Sequence, residues 1–528
     1  MKKLFINAVI YGPDRLKADS IAVFDGLIFD IGPAVKLINL KRRGFEVIDL
    51  KGNVIVPGFI DCHLHLLGLG LSLQRVDLSA ANTLNKAITL ISVAARKTPP
   101  GRWLIGRGWD KNSWGVAFPD KTILDKICPD NPVFLYSKDG HAVWVNSAAL
   151  KAAGVDYSTA DPPGGLIKRF SNGEPTGIVF ENAIQIFEKA LPPPTEAQKL
   201  DAVKRAGRKL NSLGITGAAD CDWDAGRFRL FGKSAAAGNL KLRVFVMLSP
   251  DDIDSAGRIG LESGSGHGNL TVGCLKLYYD GSLGSQTALM FEPYNDSQDN
   301  CGVAAMTADQ LEMFYERTHL KGISLAIHAI GDRANAEVLD FFARKQAISR
   351  KLGLRHRIEH AQILRKADIA RFKKLDIGAS VQPIHIAADR DVADKYWGLR
   401  ARNAYPLGAL LKSGVQVGFG SDSPVENADP RLGIYAAVAR KKHGDNRDSW
   451  FPEHSISIAQ AIRCYTEGAA ALCRWENKAG VLKVGAAADF TVLSDDLLRL
   501  PVDKIPDIEI LATIFNGTVA YSNGTLKL

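Results

Sequence analysis

The 528-residue sequence has no apolar run of about 18 residues, so we expect no transmembrane helix and no membrane partner. The apolar stretch behind the N-terminal Lys pair is short and broken by Asn7, which is more typical of a strand than of a signal peptide. We therefore expect a cytoplasmic protein. Hydrophobic residues make up 46% and charged residues 23%, which excludes a disordered or fibrous chain.

Neither the cysteines nor the basic residues indicate a function by their number or spacing. The seven cysteines include no CxxC pair, which excludes a disulfide scaffold and a zinc ribbon. The net charge is +9, but the densest basic clusters, 41–43 and 440–442, are not interleaved with aromatic residues. Nucleic-acid surfaces concentrate their positive charge in a stripe or patch. We therefore expect no nucleic-acid partner.

The predicted secondary structure changes along the chain. Both ends are rich in short predicted strands, such as Phe5–Tyr11 and Ile508–Phe515, which indicates one small β-sandwich built from both termini. The middle alternates strands with amphipathic helices, and eight such units favour an α/β fold of the (β/α)8 TIM-like barrel type. The predicted barrel strands are Val54–Ile60, Ile215–Ala219, Arg243–Met247, Val272–Tyr278, Ser324–His328, His356–Glu359, Gly378–Gln382 and Val415–Gly420.

The spacing of these strands predicts a large insertion. About 155 residues separate strands one and two, far more than an ordinary loop, and this stretch has predicted strands of its own. We expect residues 68–195 to form a subdomain over the barrel mouth. The sandwich would then comprise residues 1–53 and 475–528, and the barrel residues 54–67 and 196–474.

The strongest chemical signal is the segment from Pro57 to His65, which contains His63 and His65 at positions i and i+2. Such residues point to the same face of a strand, so both imidazoles can bind one metal ion. An HxH pair alone is a weak signal. His328, His360 and Asp422, however, also lie at or just beyond the ends of predicted strands, which converge at one end of a barrel. Imidazole and carboxylate ligands suit zinc, which we expect, with iron, manganese or nickel as alternatives.

Lys276 is the second unusual residue, because it lies on the predicted fourth strand and would point into the barrel. A buried lysine is costly unless it is paired or chemically changed. One interpretation is an ion pair with Asp280 or with a substrate carboxylate. The other is reaction with CO2 to give a carbamate that bridges two metal ions.

These residues fall within segments that resemble the amidohydrolase superfamily, and within it the YtcJ-like metal-dependent hydrolases, a group that includes N-substituted formamide deformylases. The segments span nearly the whole chain in order. They are Pro57–His65, Lys138–Ser147, Gly173–Gly177, Leu275–Ser285, Ile327–Asp332, Arg357–His360, Gly420–Pro424 and Gly480–Asp489.

The resemblance implies a distorted barrel with the terminal β-sandwich and a site for one or two divalent ions. By position, His63 and His65 match ligands of a first ion, and His328 and His360 match ligands of a second. Lys276 matches a lysine that is carboxylated and bridges the ions in many superfamily members. Asp422 matches an aspartate that binds metal and moves protons.

Four further residues are candidates for contact with substrate. His141 and Glu181 fall in the insertion and could close over a substrate, although Glu181 could also be merely solvated. Asp280 could orient Lys276 or a substrate amine. Trp109 is one of four insertion tryptophans that form either an aromatic wall for substrate or the core of the insertion.

The predicted function is hydrolysis of a C–N bond in an amide-like small molecule, such as an N-formyl or N-acyl compound. Hydroxide generated at the metal would attack the carbonyl, and Asp422 would carry the proton to the departing amine. One alternative is hydrolysis of an ester, lactone or cyclic amide at the same site. A different alternative is a catalytically inactive scaffold, which predicts lost ligands, whereas all six candidate ligands are present. The sequence leaves a homo-oligomer open.

Overall fold

A computed structural model describes residues 2–12, 18–115, 118–137, 142–222 and 226–528, apart from the side chains of residues 112 and 113. The chain divides into two compact units, residues 1–70 with 203–528 and residues 71–202. The second unit overlaps the predicted insertion. No helix in the described ranges is long and apolar enough to cross a membrane.

The first unit contains a parallel sheet of eight barrel strands in sequential order, which confirms the predicted barrel. Barrel strands one to eight are Phe59–Leu64, Ile215–Asp220, Arg243–Leu248, Leu270–Tyr278, Leu325–Ala329, Arg357–His360, Gly378–Val381 and Val417–Phe419. Strands one and eight meet just beyond the sheet, where the amide of Asp422 donates to the carbonyl of His63 at 2.7 Å. Because the barrel closes only beyond the end of strand eight, it is distorted, and the ends of strands one and eight lie together.

The predicted first strand, Val54–Ile60, is wrong. Val54–Pro57 pairs with Phe490–Leu493 in a different sheet, and barrel strand one begins at Phe59. Gly58 lies at the break, where a Cβ atom would come within 2.2 Å of Oγ1 of Thr216. Only glycine allows the chain to pass this close to barrel strand two on its way between the sheets.

Two further sheets form the sandwich and draw on both termini. One contains Lys2–Ile6, Ser20–Phe24, Leu27–Gly32 and Glu46–Asp49, and the other contains Val9–Ile10, Val54–Pro57, Phe490–Leu493, Ile510–Phe515 and Thr518–Ser522. Side chains of both sheets, including Phe5, Ile21 and Phe490, share one buried core. The sandwich inferred from the strand-rich ends is therefore present.

Helices follow most barrel strands, as the alternating pattern predicted. Those of eight or more residues are Glu196–Ser212, Arg227–Ala236, Ala308–Thr318, Asp332–Lys351, Lys366–Leu375, Ile384–Trp397 and Pro430–Ala439. Shorter helices include Leu66–Ser72, Ile253–Arg258, Leu407–Lys412 and Ile458–Arg463. A buried core cluster of the barrel combines sulfur-containing side chains such as Cys62, Cys274 and Met247 with the aromatic side chains of Phe245 and Trp475.

The second unit has its own six-stranded sheet. Its strands, in spatial order, are Gly165–Arg169, Pro175–Glu181, Ala142–Val145, Val133–Ser137, Leu104–Trp109 and Val76–Asp77. The helices Leu84–Ala95, Lys121–Ile127, Ser147–Ala152 and Ile184–Ala190 accompany it. Its position over the barrel mouth stays a prediction, as does the division into three domains.

Candidate functional site

His63 and His65 lie at the carboxyl end of barrel strand one, where the register against strand two shifts. Nδ1 of His63 is 2.5 Å from Oε2 of Glu359, and Nδ1 of His65 is 2.9 Å from Oδ1 of Asp222. An imidazole that donates its Nδ1–H to a carboxylate keeps the Nε2 lone pair for a metal. Nε2 is therefore the atom of each ring that is left for a metal.

Asp422 provides the point on which these two rings converge. Its Oδ1 lies 3.4 Å from Nε2 of His63 and 3.2 Å from Nε2 of His65. The backbone of Asp422 has a positive φ of 60°, a conformation that is uncommon for a residue other than glycine and is often found at functional sites. Two imidazole nitrogens and one carboxylate oxygen at contact distance form a donor set suited to a divalent metal.

His360 and His328 complete a chain of adjacent rings. The ring of His360 lies 4.7 Å from that of His63 and 4.5 Å from that of His328, between ring centroids. Ligand atoms of His63, His360 and Asp422 can all lie within 4.8 Å of one another. Nε2 of His328 donates to the carbonyl of Gly281 at 3.0 Å, so its Nδ1 is the atom left for a metal. The structure thus brings together the five predicted imidazole and carboxylate ligands.

Backbone geometry explains how neighbouring residues of strand six reach the same site. Side chains alternate along a strand, so Glu359 and His360 would ordinarily face opposite ways. His360 has a positive φ of 71°, which interrupts that alternation at the strand end. Both side chains therefore approach His63.

Lys276 is fully buried on barrel strand four, as predicted. Its Nζ lies 4.4 Å from the centroid of the Tyr278 ring, and that ring lies 5.3 Å from the ring of His328. Burial lowers the pKa of Lys276. The neutral amine that this favours is the form that reacts with CO2.

The electrostatics of the site favour the ionised form of the Asp422 carboxylate, which lies among imidazoles. Burial raises the pKa of Asp422, but the adjacent imidazoles of His385, His63 and His65 outweigh it and hold the pKa well below the usual value. Burial also lowers the pKa of His65, yet Asp222 and Asp422 together raise it to about 9. Burial, with nearby Lys276, lowers the pKa of His328 to about 3.

Asp280, predicted to orient Lys276 or a substrate amine, is held by backbone amides; its predicted role stays a prediction. Its carboxylate accepts hydrogen bonds from the backbone amides of Leu289, Ile330 and Gly331, at 2.8–3.0 Å. It also lies 3.6 Å from Nε2 of His328. These contacts tie the loops after barrel strands four and five together beside His328.

Two of the predicted substrate residues of the insertion, Trp109 and Glu181, lie in the second unit. Trp109 is 2% exposed, and its indole N–H donates to the carbonyl of Leu135 at 2.7 Å, so it forms part of the insertion core. Glu181 lies exposed at the end of the strand Pro175–Glu181. His141 lies outside the described residues.

Sequence reasoning missed three residues that contact the predicted ligands and a fourth, Arg357, that holds one of those three. Glu359 and Asp222 hold His63 and His65, and Arg357 is paired with Glu359 through Nε and Oε1 at 2.5 Å. His385 follows barrel strand seven, and its Nε2 is 3.6 Å from Oδ2 of Asp422. Glu359 and Arg357 were visible within the segment Arg357–His360, but Asp222 and His385 belong to none of the segments that carried the resemblance.

Comparisons with known proteins agree with this architecture. Residues 46–521 match the amidohydrolase family. The chain is 34% identical to the putative amidohydrolase YtcJ of Bacillus subtilis, over 98% of each chain. It is 27% identical to the N-substituted formamide deformylase of Arthrobacter pascens, again over 98% of each.

A solved structure gives the same result for the fold. An uncharacterized metal-dependent hydrolase from Pyrococcus furiosus aligns with a TM-score of 0.78 and 30% identity, covering 94% of this chain and all of that one. The chain therefore belongs to the amidohydrolase family, which confirms the resemblance inferred from its motifs. It is a metal-dependent hydrolase of that family.

Proposed function

We propose that this enzyme hydrolyses a C–N bond in an amide-like small molecule, with N-formyl and N-acyl compounds as the first substrates to test. The observation that carries the proposal is the convergence of Nε2 of His63 and Nε2 of His65 on Oδ1 of Asp422, at 3.4 and 3.2 Å. The names of two relatives, an amidohydrolase and a formamide deformylase, support the choice of bond.

The residues fit a divalent metal on the chemistry of their donors. His63, His65 and Asp422 would hold one ion, and each histidine already has its Nδ1 on a carboxylate, an arrangement common for metal-ligating histidines. His328 and His360 would hold a second ion together with Lys276. Zinc is our first expectation, with iron, manganese and nickel as alternatives.

Lys276 would join the second site as a carbamate. Its neutral amine forms a bond to the carbon of CO2 and loses one proton, which leaves a negative group with two oxygens. An ammonium has donors only and cannot ligate a cation. The full burial of Lys276 supports this proposal because it disfavours the ammonium.

A bound divalent ion supplies Lewis acidity, which polarises a carbonyl and lowers the pKa of water to about 7. Asp422 then moves the proton. Its ionised carboxylate accepts a proton from the attacking water as the new C–O bond forms. It delivers that proton to the nitrogen as the C–N bond breaks, which releases a carboxylic acid and an amine.

The test is metal analysis of the pure protein followed by a substrate panel. The panel should contain N-formyl amines, N-acyl amines and cyclic amides, with esters and lactones of matched size. We expect at least one ion per chain and turnover of an amide that is abolished by a chelator and restored by metal. Turnover of esters or lactones alone, or of nothing on the panel, would contradict the proposed bond.

A further inference from the structure

His65 differs from the other predicted ligands because its carboxylate partner lies just after barrel strand two (Ile215–Asp220), which contributes no predicted ligand. Nδ1 of His65 lies 2.9 Å from Oδ1 of Asp222. Nε2 of the same ring lies 3.2 Å from Oδ1 of Asp422. The imidazole is thus held at both nitrogens, with Asp222 on the side away from Asp422.

The second oxygen of Asp222 holds the backbone that follows His65. Oδ2 accepts hydrogen bonds from the amides of Leu67 at 3.2 Å and Gly68 at 3.4 Å. A Cβ atom on Gly68 would lie 3.3 Å from Cβ of His65 and 3.7 Å from Oδ1 of Asp222, so the turn is closely packed. One carboxylate therefore orients both the ring of His65 and the backbone beyond it.

Asp220 provides a neighbouring carboxylate with a different task. Its Oδ1 accepts the amide of Leu66 at 2.9 Å, and its Oδ2 pairs with the buried guanidinium of Arg227. Asp220 therefore ties the same turn to barrel strand two, and within the described part of the chain it has no hydrogen bond to an imidazole. The chain thus offers a control for the structural part of the role of Asp222.

We propose that Asp222 is a positioning residue that fixes the His65 ring with its proton on Nδ1 and its Nε2 lone pair directed at the metal position beside Asp422. This inference rests on the metal role proposed for His65. Without the carboxylate, the ring can rotate about its Cβ–Cγ bond or place its proton on Nε2, and either change removes a metal ligand. Outer partners of this kind typically account for about 10–100-fold in metal affinity.

The test compares the wild type with Asp222→Asn, Asp222→Ser and Asp220→Asn, all as full-length chains stripped of metal. Asn is nearly isosteric but can donate to Nδ1 and so permit the wrong tautomer. Ser removes the carboxylate and leaves a small hydroxyl. Zn²⁺ affinity is measured by competition with a chromophoric chelator, and thermal unfolding of each metal-free protein records its fold. The visible spectrum of the Co²⁺-loaded protein reports the geometry of the ligands.

We expect both Asp222 variants to bind one class of Zn²⁺ about 10–100-fold more weakly than the wild type, with an altered Co²⁺ spectrum. Asp220→Asn should lower the unfolding temperature yet keep the wild-type affinity and spectrum. Wild-type Zn²⁺ affinity in any Asp222 variant that folds would overturn the positioning role alone. An equal loss of Zn²⁺ affinity in Asp220→Asn would do the same. A wild-type protein that binds no divalent metal would overturn the proposed function as well.

Discussion

Glu359 links the stability of the barrel to the orientation of His63. Its Oε2 lies 2.5 Å from Nδ1 of His63, and its Oε1 lies 2.5 Å from Nε of Arg357. All three side chains are at most 1% exposed. Burial raises the pKa of Glu359, but Arg357 and His63 outweigh it and hold that pKa well below the usual value. A buried charge pair therefore lies directly behind a predicted metal ligand.

Glu359→Gln should destabilise the protein strongly. Removing one partner of a buried pair leaves Arg357 uncompensated, which typically costs about 3–5 kcal/mol in the free energy of unfolding. Urea unfolding of the metal-free protein measures this. Asp507→Asn is the matched control, because it breaks the exposed pair with Lys504 and should cost less than about 1 kcal/mol. Equal small effects in the two variants would contradict the prediction.

Asp422→Asn should reduce kcat by about 10²–10⁴-fold, because the amide keeps the shape of the carboxylate and removes its basicity. Metal content is measured on the same sample, since Asp422 also faces His63 and His65. A variant that retains metal and near-normal kcat would rule out the proton-carrying role. His385→Asn tests a neighbouring group that lies 3.6 Å from the same carboxylate.

Lys276→Ala should lose activity and one class of metal, because the carbamate oxygens are lost with the side chain. Added short carboxylic acids should restore part of both, since they supply two oxygens within the space vacated by the lysine. Activity and metal content are measured with and without the acid. Full activity with two bound ions in the alanine variant would leave Lys276 as an ion-pair or substrate contact.

The metal-free protein should lose a His65-dependent part of its stability as the pH rises. His65 has a pKa of about 9 when folded and 6.5 ordinarily, so between these values the folded state retains a proton that the unfolded state has released. This contribution is complete below about pH 6.5 and is lost as the pH rises through 9. Urea unfolding should show the advantage over His65→Gln narrowing across that range. A constant difference would contradict the assigned pKa.

His141→Ala should change the ranking of substrates and leave the metal content intact, if the insertion contributes to specificity. The measurement is kcat/KM across the amide panel together with metal analysis. Loss of metal would instead mean that the insertion supplies a ligand or supports the site. Trp109 is a poor choice for this test, because its burial makes truncation to Ala cost about 3–5 kcal/mol.

Much of this architecture follows from local sequence patterns. The alternation of short apolar runs and amphipathic helices identified seven barrel strands to within a few residues, since these patterns reflect the periodicity of each element. The five imidazole and carboxylate side chains that the structure brings together were also visible in the sequence, because parallel strands of a barrel converge at their carboxyl ends. The first strand was misplaced because only Pro57-Gly58 separates the apolar residues 54–56 from the apolar residues 59–60, and only the pairing partners show that the two runs belong to different sheets.

The sequence by itself thus determined which elements form and which predicted metal ligands lie at their ends. The tertiary structure alone decided the partners of those side chains. Asp222 is 157 residues from His65 and Glu359 is 296 residues from His63, so no local pattern connects them. These carboxylates reach the two histidines because the register of strand one shifts and because the barrel closes beyond strand eight, at Asp422. The same holds for Trp109, whose place in the insertion core was settled by packing between elements rather than by its position along the chain.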